Sequence, residues 1–298
     1  MIKMQEKEFV DFHGAKIVKS EINALIKLEK EMGEKIPIVS SIDLETFGVV
    51  IEENRVVSLG LHRKGLTSLP QSIGNLFALK ILFLQKNKLN SLPDSIGQLT
   101  TLTNLYLGFN KLNSLPESIG QLKTLKYLNI KKNRLASLPN SVGQLMSLTD
   151  LDLAVNRLVS LPESMSQLKV LTNLNLGFNH LLFLPDFIGK ITSLINLNLQ
   201  NNHLLSITDF IGQLSALTLL KLDNNHLLTL PNSIGELLAL KELHLSNNEL
   251  VSLPESMELL TSIKIVNLNY NKINPVPDAV KKPLKALKNQ GCNITFKI

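Results

Sequence analysis

A unit of 23 residues repeats from Val56 to about Val280 without insertion or deletion, and this fixed period limits the chain more than any other feature. Steps of 23 from Val56 land on Leu79, Leu102, Leu125, Leu148, Leu171, Leu194, Leu217, Leu240 and Ile263. With each of these as position 1, apolar residues recur at positions 1, 4, 6, 11, 14, 18 and 21. Asn recurs at position 9 and Pro, in most copies, at position 15. A unit this short cannot bury its own apolar face, so the copies must stack in register and share one core. The ordinary work of such a stack is to hold another molecule.

The copy Leu79–Thr101, LKILFLQKNKLNSLPDSIGQLTT, shows how each position earns its residue type. Leu79, Leu82 and Leu84 straddle a short strand whose alternate side chains point inward. Asn87 can turn its amide into the bend and satisfy main-chain groups of adjacent copies that would otherwise be buried unpaired. Nine of ten copies carry it, as Asn87, Asn110, Asn133, Asn156, Asn179, Asn202, Asn225, Asn248 and Asn271. The exception, Lys64, lies in the first copy, where one neighbour is missing. Pro93 sets φ for a helical or 3-10 start on the outer side, and Ile96 and Leu99 turn back into the core. Gly recurs at position 19, implying either positive φ or close backbone approach. Ser166 and Glu258 replace it in two copies, so the requirement is not absolute.

These residues match the pattern L-x-x-L-x-L-x-x-N-x-L and resemble the leucine-rich repeat. The 23-residue form with L-P-x-S-I-G-x-L is similar to the subclass in intracellular Ras-group and scribble-type proteins. The resemblance implies an α/β solenoid: a right-handed horseshoe of about ten copies, with a parallel concave sheet, a helical or 3-10 convex side and a cap at each end. It also implies binding rather than catalysis, with small GTPases, their effectors or phosphatases among the partners of the class. Fold alone does not choose among them.

An open array exposes an apolar face and a strand edge at each end, so both ends need covering. Residues 1–55 read as the N-terminal cap, 56–280 as the array and 281–298 as the C-terminal cap. In the first cap Ser20 is placed to start a helix running to about Met32, with Ile22, Leu25 and Ile26 on one face and Gly33 as its stop. Phe47–Ile51, a turn at Glu52–Asn54 and Val56–Val57 read as a hairpin feeding the first repeat. In the second cap a helix interrupted at Pro283 precedes a strand with Cys292, Ile294, Phe296 and Ile298 on one side.

Composition narrows the setting. A single cysteine, Cys292, excludes an intramolecular disulfide and a multi-cysteine zinc site. It reads as a small buried apolar residue, not a nucleophile. The start MIKMQEKE lacks the apolar core of a secretory leader. The longest uncharged stretch, Ile191–Thr208, keeps the repeat phase and four asparagines, unlike a membrane span. Together these place the chain in a reducing, cytoplasmic compartment. A net charge of +6 with both signs mixed does not by itself indicate nucleic acid or membrane.

No phosphate-binding, zinc-protease or nucleophile-elbow motif is present, and no cofactor is expected. His180, His203 and His226 occupy position 10 of three successive copies, close enough when stacked to share a metal ion. The same column continues through Lys88, Lys111, Arg134, Arg157, Glu249 and Lys272. A polar edge is the simpler reading, and no metal site is expected. The cations of this column could face phosphates, but acids at position 16, such as Asp94 and Glu117, form a counter-column beside helical N-termini. Both are read as solvated faces.

The concave face is the expected partner surface. There positions 3, 5, 7 and 8 are free of core duty, so departures from polarity are informative. Ile81, Phe83, Tyr106, Tyr127 and Lys131 form an expected hot spot of aromatics beside charge, followed by Asp150 and Asp152. Position 12 turns apolar in later copies, as Val159, Leu182, Leu205, Leu228 and Val251. It is either buried by the turn or a surface for self-association or a second partner. The residues thus point to a non-catalytic scaffold binding a protein on its concave face. The alternative is a recognition module serving an enzyme on another chain, and a peptide or glycan would favour the Asn-rich stretch Asn173–Asn198.

Overall fold

The computed structural model describes residues 8–273 and 278–297. The opening heptapeptide, residues 274–277 at the end of the last repeat, and Ile298 of the expected final apolar face lie outside these. The chain divides into two compact units, Met1–Arg134 with Gln144–Leu148, and Leu135–Gly143 with Thr149–Ile298.

The first unit opens with a hairpin the sequence reading missed, β1 (Phe9–Phe12) and β2 (Ala15–Val18), paired antiparallel about Gly14 at φ 92°. Helix α1 (Lys19–Met32) starts one residue before Ser20, and its N-cap, Val18, supplies no side-chain bond. Gly33 ends it in the left-handed region, donating its N–H to the Glu29 carbonyl. Leu25 and Leu28 are buried as the periodicity requires, whereas Ile26 is exposed and Glu21 is buried. A buried carboxylate needs partners. Glu21 pairs with Arg55 at 2.9 Å and accepts the Val56 N–H at 2.8 Å, which fastens α1 to the start of the array.

The expected hairpin is β3 (Gly48–Glu52) and β4 (Arg55–Gly60), antiparallel, with Glu53 and Asn54 at positive φ in the turn. Strands β5 (Ile81–Phe83), β6 (Asn104–Tyr106) and β7 (Tyr127–Asn129) follow β4 in parallel, each pairing residues one repeat apart, as in Leu82 with Leu105.

The second unit repeats this register through β8 (Asp150–Asp152), β9 (Asn173–Asn175), β10 (Asn196–Asn198), β11 (Leu219–Lys221), β12 (Glu242–His244) and β13 (Ile265–Asn267). Helix α2 (Asp278–Asn289) and strand β14 (Asn293–Thr295) close it, β14 pairing parallel to β13. Pro283 lies inside α2 instead of interrupting it; the helix runs on with one main-chain bond forgone. Cys292 is buried, and that burial pushes its thiol pKa up.

Opposite the strands, each of the first nine copies makes a 3-10 turn, and α2 takes that place in the tenth. Pro93 holds extended backbone before Asp94–Gln98, and Ile96 and Leu99 are fully buried. The recurrent Gly is explained by close approach and not by positive φ. A Cβ at Gly189 would stand 2.5 Å from the Phe210 carbonyl oxygen of the next copy.

The asparagines do main-chain work throughout. Asn110 accepts the Leu89 N–H at 3.0 Å and donates to the Leu84 and Leu107 carbonyls at 2.9 and 3.0 Å. Asn87 and Asn133 make the same set in the first unit. In the second unit Asn156 accepts the Leu135 N–H and donates to the Leu153 carbonyl. Asn179, Asn202, Asn225, Asn248 and Asn271 follow suit. At the array's start Lys64 replaces the amide and turns into the cap, 2.9 Å from Glu34 and 3.3 Å above the Phe47 ring centroid.

Just before each of these residues, position 8 is left-handed in every copy. Arg63, Lys86, Phe109, Lys132, Val155, Phe178, Asn201, Asn224, Asn247 and Tyr270 all have φ between 53° and 60°. This is the bend from strand to Asn turn. Only Asn among these types takes the conformation readily.

Candidate functional site

The strand face of the first unit is shaped by a piece of its cap. Asp43 accepts the Glu45 N–H at 2.9 Å and the Thr46 hydroxyl at 2.6 Å, and these bonds hold its carboxyl below the usual carboxylate range, the Thr46 bond most of all. The tight turn presents Leu44 and Glu45 over the strands. Gln85 donates its amide N–H to the Leu44 carbonyl at 2.6 Å. Lys86 donates to Glu45 at 3.3 Å, and this bond lowers the Glu45 pKa.

Between this turn and the strands lies a cavity of about 320 Å³, lined among others by Leu44, Glu45, Tyr106, Phe109, Tyr127 and Lys131. Phe83, Tyr106 and Tyr127 form a ring column, with centroids 4.5 Å apart for the first pair and 4.9 Å for the second. Lys131 and Lys132 stand 5.7 and 4.8 Å from the Phe109 centroid. Gln85 also lines the cavity, and its side-chain oxygen is buried without a hydrogen-bond partner among the described residues. The cavity therefore offers an aromatic floor, an aliphatic lip and a cation.

Of the residues expected here, Ile81, Tyr106 and Tyr127 are half-buried and keep an accessible edge. Phe83 corrects the expectation of exposure, being only 4% exposed. Tyr106 stacks on its ring. On its other side Thr46 lies so close to Gly60, the residue paired with Phe83, that a Cβ there would collide with the Thr46 carbonyl. Sequence periodicity assigned Phe83 to the strand face but could not show that the cap crosses that face.

In the second unit Asp150 and Asp152 are engaged within the chain. Asp150 accepts from the Thr149 hydroxyl at 2.7 Å and the Asn173 amide at 2.6 Å. Asp152 accepts the Ala154 N–H at 3.1 Å. Asn129, Asn175, Asn198 and Asn267 accept in the same way from the N–H two residues on. Position 5 is thus a second structural column, which sequence reasoning took for free surface. Phe83 and Tyr106 hold this position in the first unit and have no such acceptor to offer.

The histidine column is stacked, with ring centroids 5.5 Å apart for His180 and His203 and 6.0 Å for His203 and His226. Among the described residues no group of three His, Cys, Asp or Glu is arranged to hold a metal ion. Among them, too, no helix is long and apolar enough to cross a membrane.

Comparison with known proteins agrees with this architecture. The family described as leucine-rich repeat region matches residues 55–126 and 113–222, and the leucine rich repeat family matches residues 239–260. The chain belongs to the leucine-rich repeat family, and its fold is the leucine-rich repeat solenoid. Among solved structures, a TDR receptor is 29% identical with TM-score 0.70, over 82% of this chain and 43% of that one. The leucine-rich repeat ectodomain of the plant membrane receptor kinase GASSHO1/SCHENGEN3 from Arabidopsis thaliana, solved in complex with CASPARIAN STRIP INTEGRITY FACTOR 2, is 26% identical with TM-score 0.52. That match covers 68% of this chain and 31% of that one. The functional domain of InlJ from Listeria monocytogenes is 22% identical with TM-score 0.59, over 81% and 53% respectively, a likeness of fold alone. The chain spans about half or less of the length of these proteins. The comparison with curated proteins gave no match.

Proposed function

We propose that this protein is a non-catalytic scaffold that captures another protein on the strand face of its first unit. The observation that carries the reading is the cavity beneath Leu44 and Glu45, floored by Tyr106 and Tyr127 and flanked by Lys131. Interface hot spots are aromatic anchors in pockets of this kind, rimmed by charge. Tyr106, Tyr127, Ile81 and Lys131 are the contact residues in this reading. Phe83 supports them from below, and Asp150 and Asp152 belong to the fold.

The family's usual role as an interaction module supports this reading, as does the complex of the plant ectodomain with its factor. The finer assignment is to the 23-residue intracellular subclass, cytoplasmic and in signalling, with small GTPases among the partners. It rests on the L-P-x-S-I-G-x-L consensus and the lone buried cysteine. We also retain the division into a cap of residues 1–55, an array of 56–280 and a cap of 281–298.

The test is affinity capture from native lysate with wild type and with the double variant Tyr106→Ser, Lys131→Glu, compared at equal urea midpoints. Loss of a protein that wild type retains supports the reading. Unchanged capture by a folded double variant rejects the strand face of the first unit as the partner surface.

A further inference from the structure

The apolar column at position 12 of the second unit is exposed along its whole length. Val159, Leu182, Leu205, Leu228 and Val251 are 55%, 54%, 59%, 52% and 49% exposed. Main-chain bonds hold its rungs together: Leu205 donates to the Leu182 carbonyl at 3.3 Å and Val251 to that of Leu228 at 3.2 Å. Position 11 beside it is fully buried in these copies, whereas position 10 beyond it comes back to the surface, exposed in four copies and half-exposed at Glu249. Position 10 gives a second column, Arg157, His180, His203, His226 and Glu249, parallel to the first.

Two features of these columns point to one occupant. The apolar column reads Val, Leu, Leu, Leu, Val from either end. The polar column carries a cation at one end and an anion at the other. Glu249 is held there by Lys272 at 2.8 Å and His226 at 3.2 Å, while Arg157 forms no ion pair among the described residues.

A surface binds itself about a two-fold axis only when it is self-complementary. Let the axis lie in the contact plane, across the columns, at Leu205. Val159 then meets the second copy's Val251, Leu182 meets its Leu228 and Leu205 meets Leu205. In the same operation Arg157 meets the second copy's Glu249 at one end, and Glu249 meets its Arg157 at the other. The stacked imidazoles meet between them.

We propose that the protein self-associates through this surface as an antiparallel two-fold dimer centred on Leu205. Five rungs spaced by about 4.8 Å span roughly 19 Å. With the flanking column the patch is about 400 Å² per copy, half that of a standard stable interface. The dimer is therefore weak, with dissociation in the micromolar range.

Sedimentation equilibrium of the full chain from about 1 to about 300 µM tests this. Wild type should pass from monomer to dimer across that range. Leu205→Asp sets two carboxylates face to face on the axis and should leave a folded monomer, since the side chain is exposed. Arg157→Glu and Glu249→Arg should each weaken the dimer by about tenfold or more, because each places like charges at both ends. An equimolar mixture of these two variants restores opposite charges at both ends and should form heterodimer at wild-type concentrations. A wild type monomeric throughout would overturn the proposal. So would a dimer indifferent to Leu205→Asp, or variants that fail to recover on mixing.

Discussion

Val155 sits at φ 56°, where sister copies have Asn201, Asn224 and Asn247 at 53–54°. The left-handed region costs an L-residue roughly 1–2 kcal/mol, and a β-branched side chain is among the worst placed there. Asn tolerates it. Replacing Val155 with Asn therefore removes most of that cost. It also gives up the buried part of the valine side chain. Val155 is 43% exposed. Just over half of a full burial worth about 1.5 kcal/mol is then lost, or about 0.8 kcal/mol. The two effects oppose each other, and the conformational one prevails, so Val155→Asn should stabilise the protein by about 0.2–1.2 kcal/mol. The reciprocal change, Asn201→Val, should destabilise by a similar amount, about 0.2–1.2 kcal/mol, because it meets the same backbone and gains only part of a valine's burial. Urea unfolding of both variants beside wild type measures this, provided the slope with denaturant is unchanged. If Val155→Asn loses stability while Asn201→Val is neutral, the shared left-handed bend does not govern this position, and local packing does.

The remaining predictions concern the ladder, the cap and the cysteine. Asn179→Ala leaves the buried Leu158 N–H without its acceptor, 3.0 Å away at present, while the Leu153 carbonyl keeps Asn156 as donor, and should cost about 1–3 kcal/mol in the same urea assay. His62 is buried at the first repeat, and desolvation, its largest influence, lowers its pKa from 6.5. The unfolded chain then binds the proton more readily, so stability is complete above pH 6.5 and falls as pH drops through it. The slope in this window should flatten in His62→Gln when urea midpoints are followed from pH 7.5 down to about pH 5. Cys292, with its thiol pKa raised by burial, should resist a thiol-exchange reagent at neutral pH and react once the chain is unfolded in guanidinium. Rapid labelling of the folded protein would show that β14 does not cover it.

The repeat was readable because its determinants are local and recur at one spacing. A leucine at position 4 and an asparagine at position 9 each recur in nine copies with the same neighbours, so nine instances constrain one geometry. The bend at position 8 carries equally regular geometry but escaped notice, because Arg, Lys, Phe, Val, Asn and Tyr all occupy it. Backbone hydrogen bonding imposes its shape on whichever residue is there, and three successive asparagines at Asn201, Asn224 and Asn247 were the only chemical trace. Position 5 misled in the opposite sense. Asn129, Asp152, Asn175 and Asn198 look like free polar surface, yet each turns its oxygen back to its own chain.

The candidate site depended on something no periodicity encodes, the path of an aperiodic cap. Phe83 and Tyr106 were visible as aromatics on the strand face, and their column was implied by stacking. The turn at Asp43, which carries Leu44 and Glu45 across that face, was not, because its anchors are distant in sequence: Gln85 and Lys86 lie about forty residues on. Once in place, that turn converts a flat ladder into a walled cavity, with Phe83 buried beside it. An aromatic column alone would receive any apolar surface. Under the proposed function, a column roofed by an anchored turn would receive only a side chain able to enter beside Lys131, and selectivity for a partner would reside in the cap as much as in the repeats.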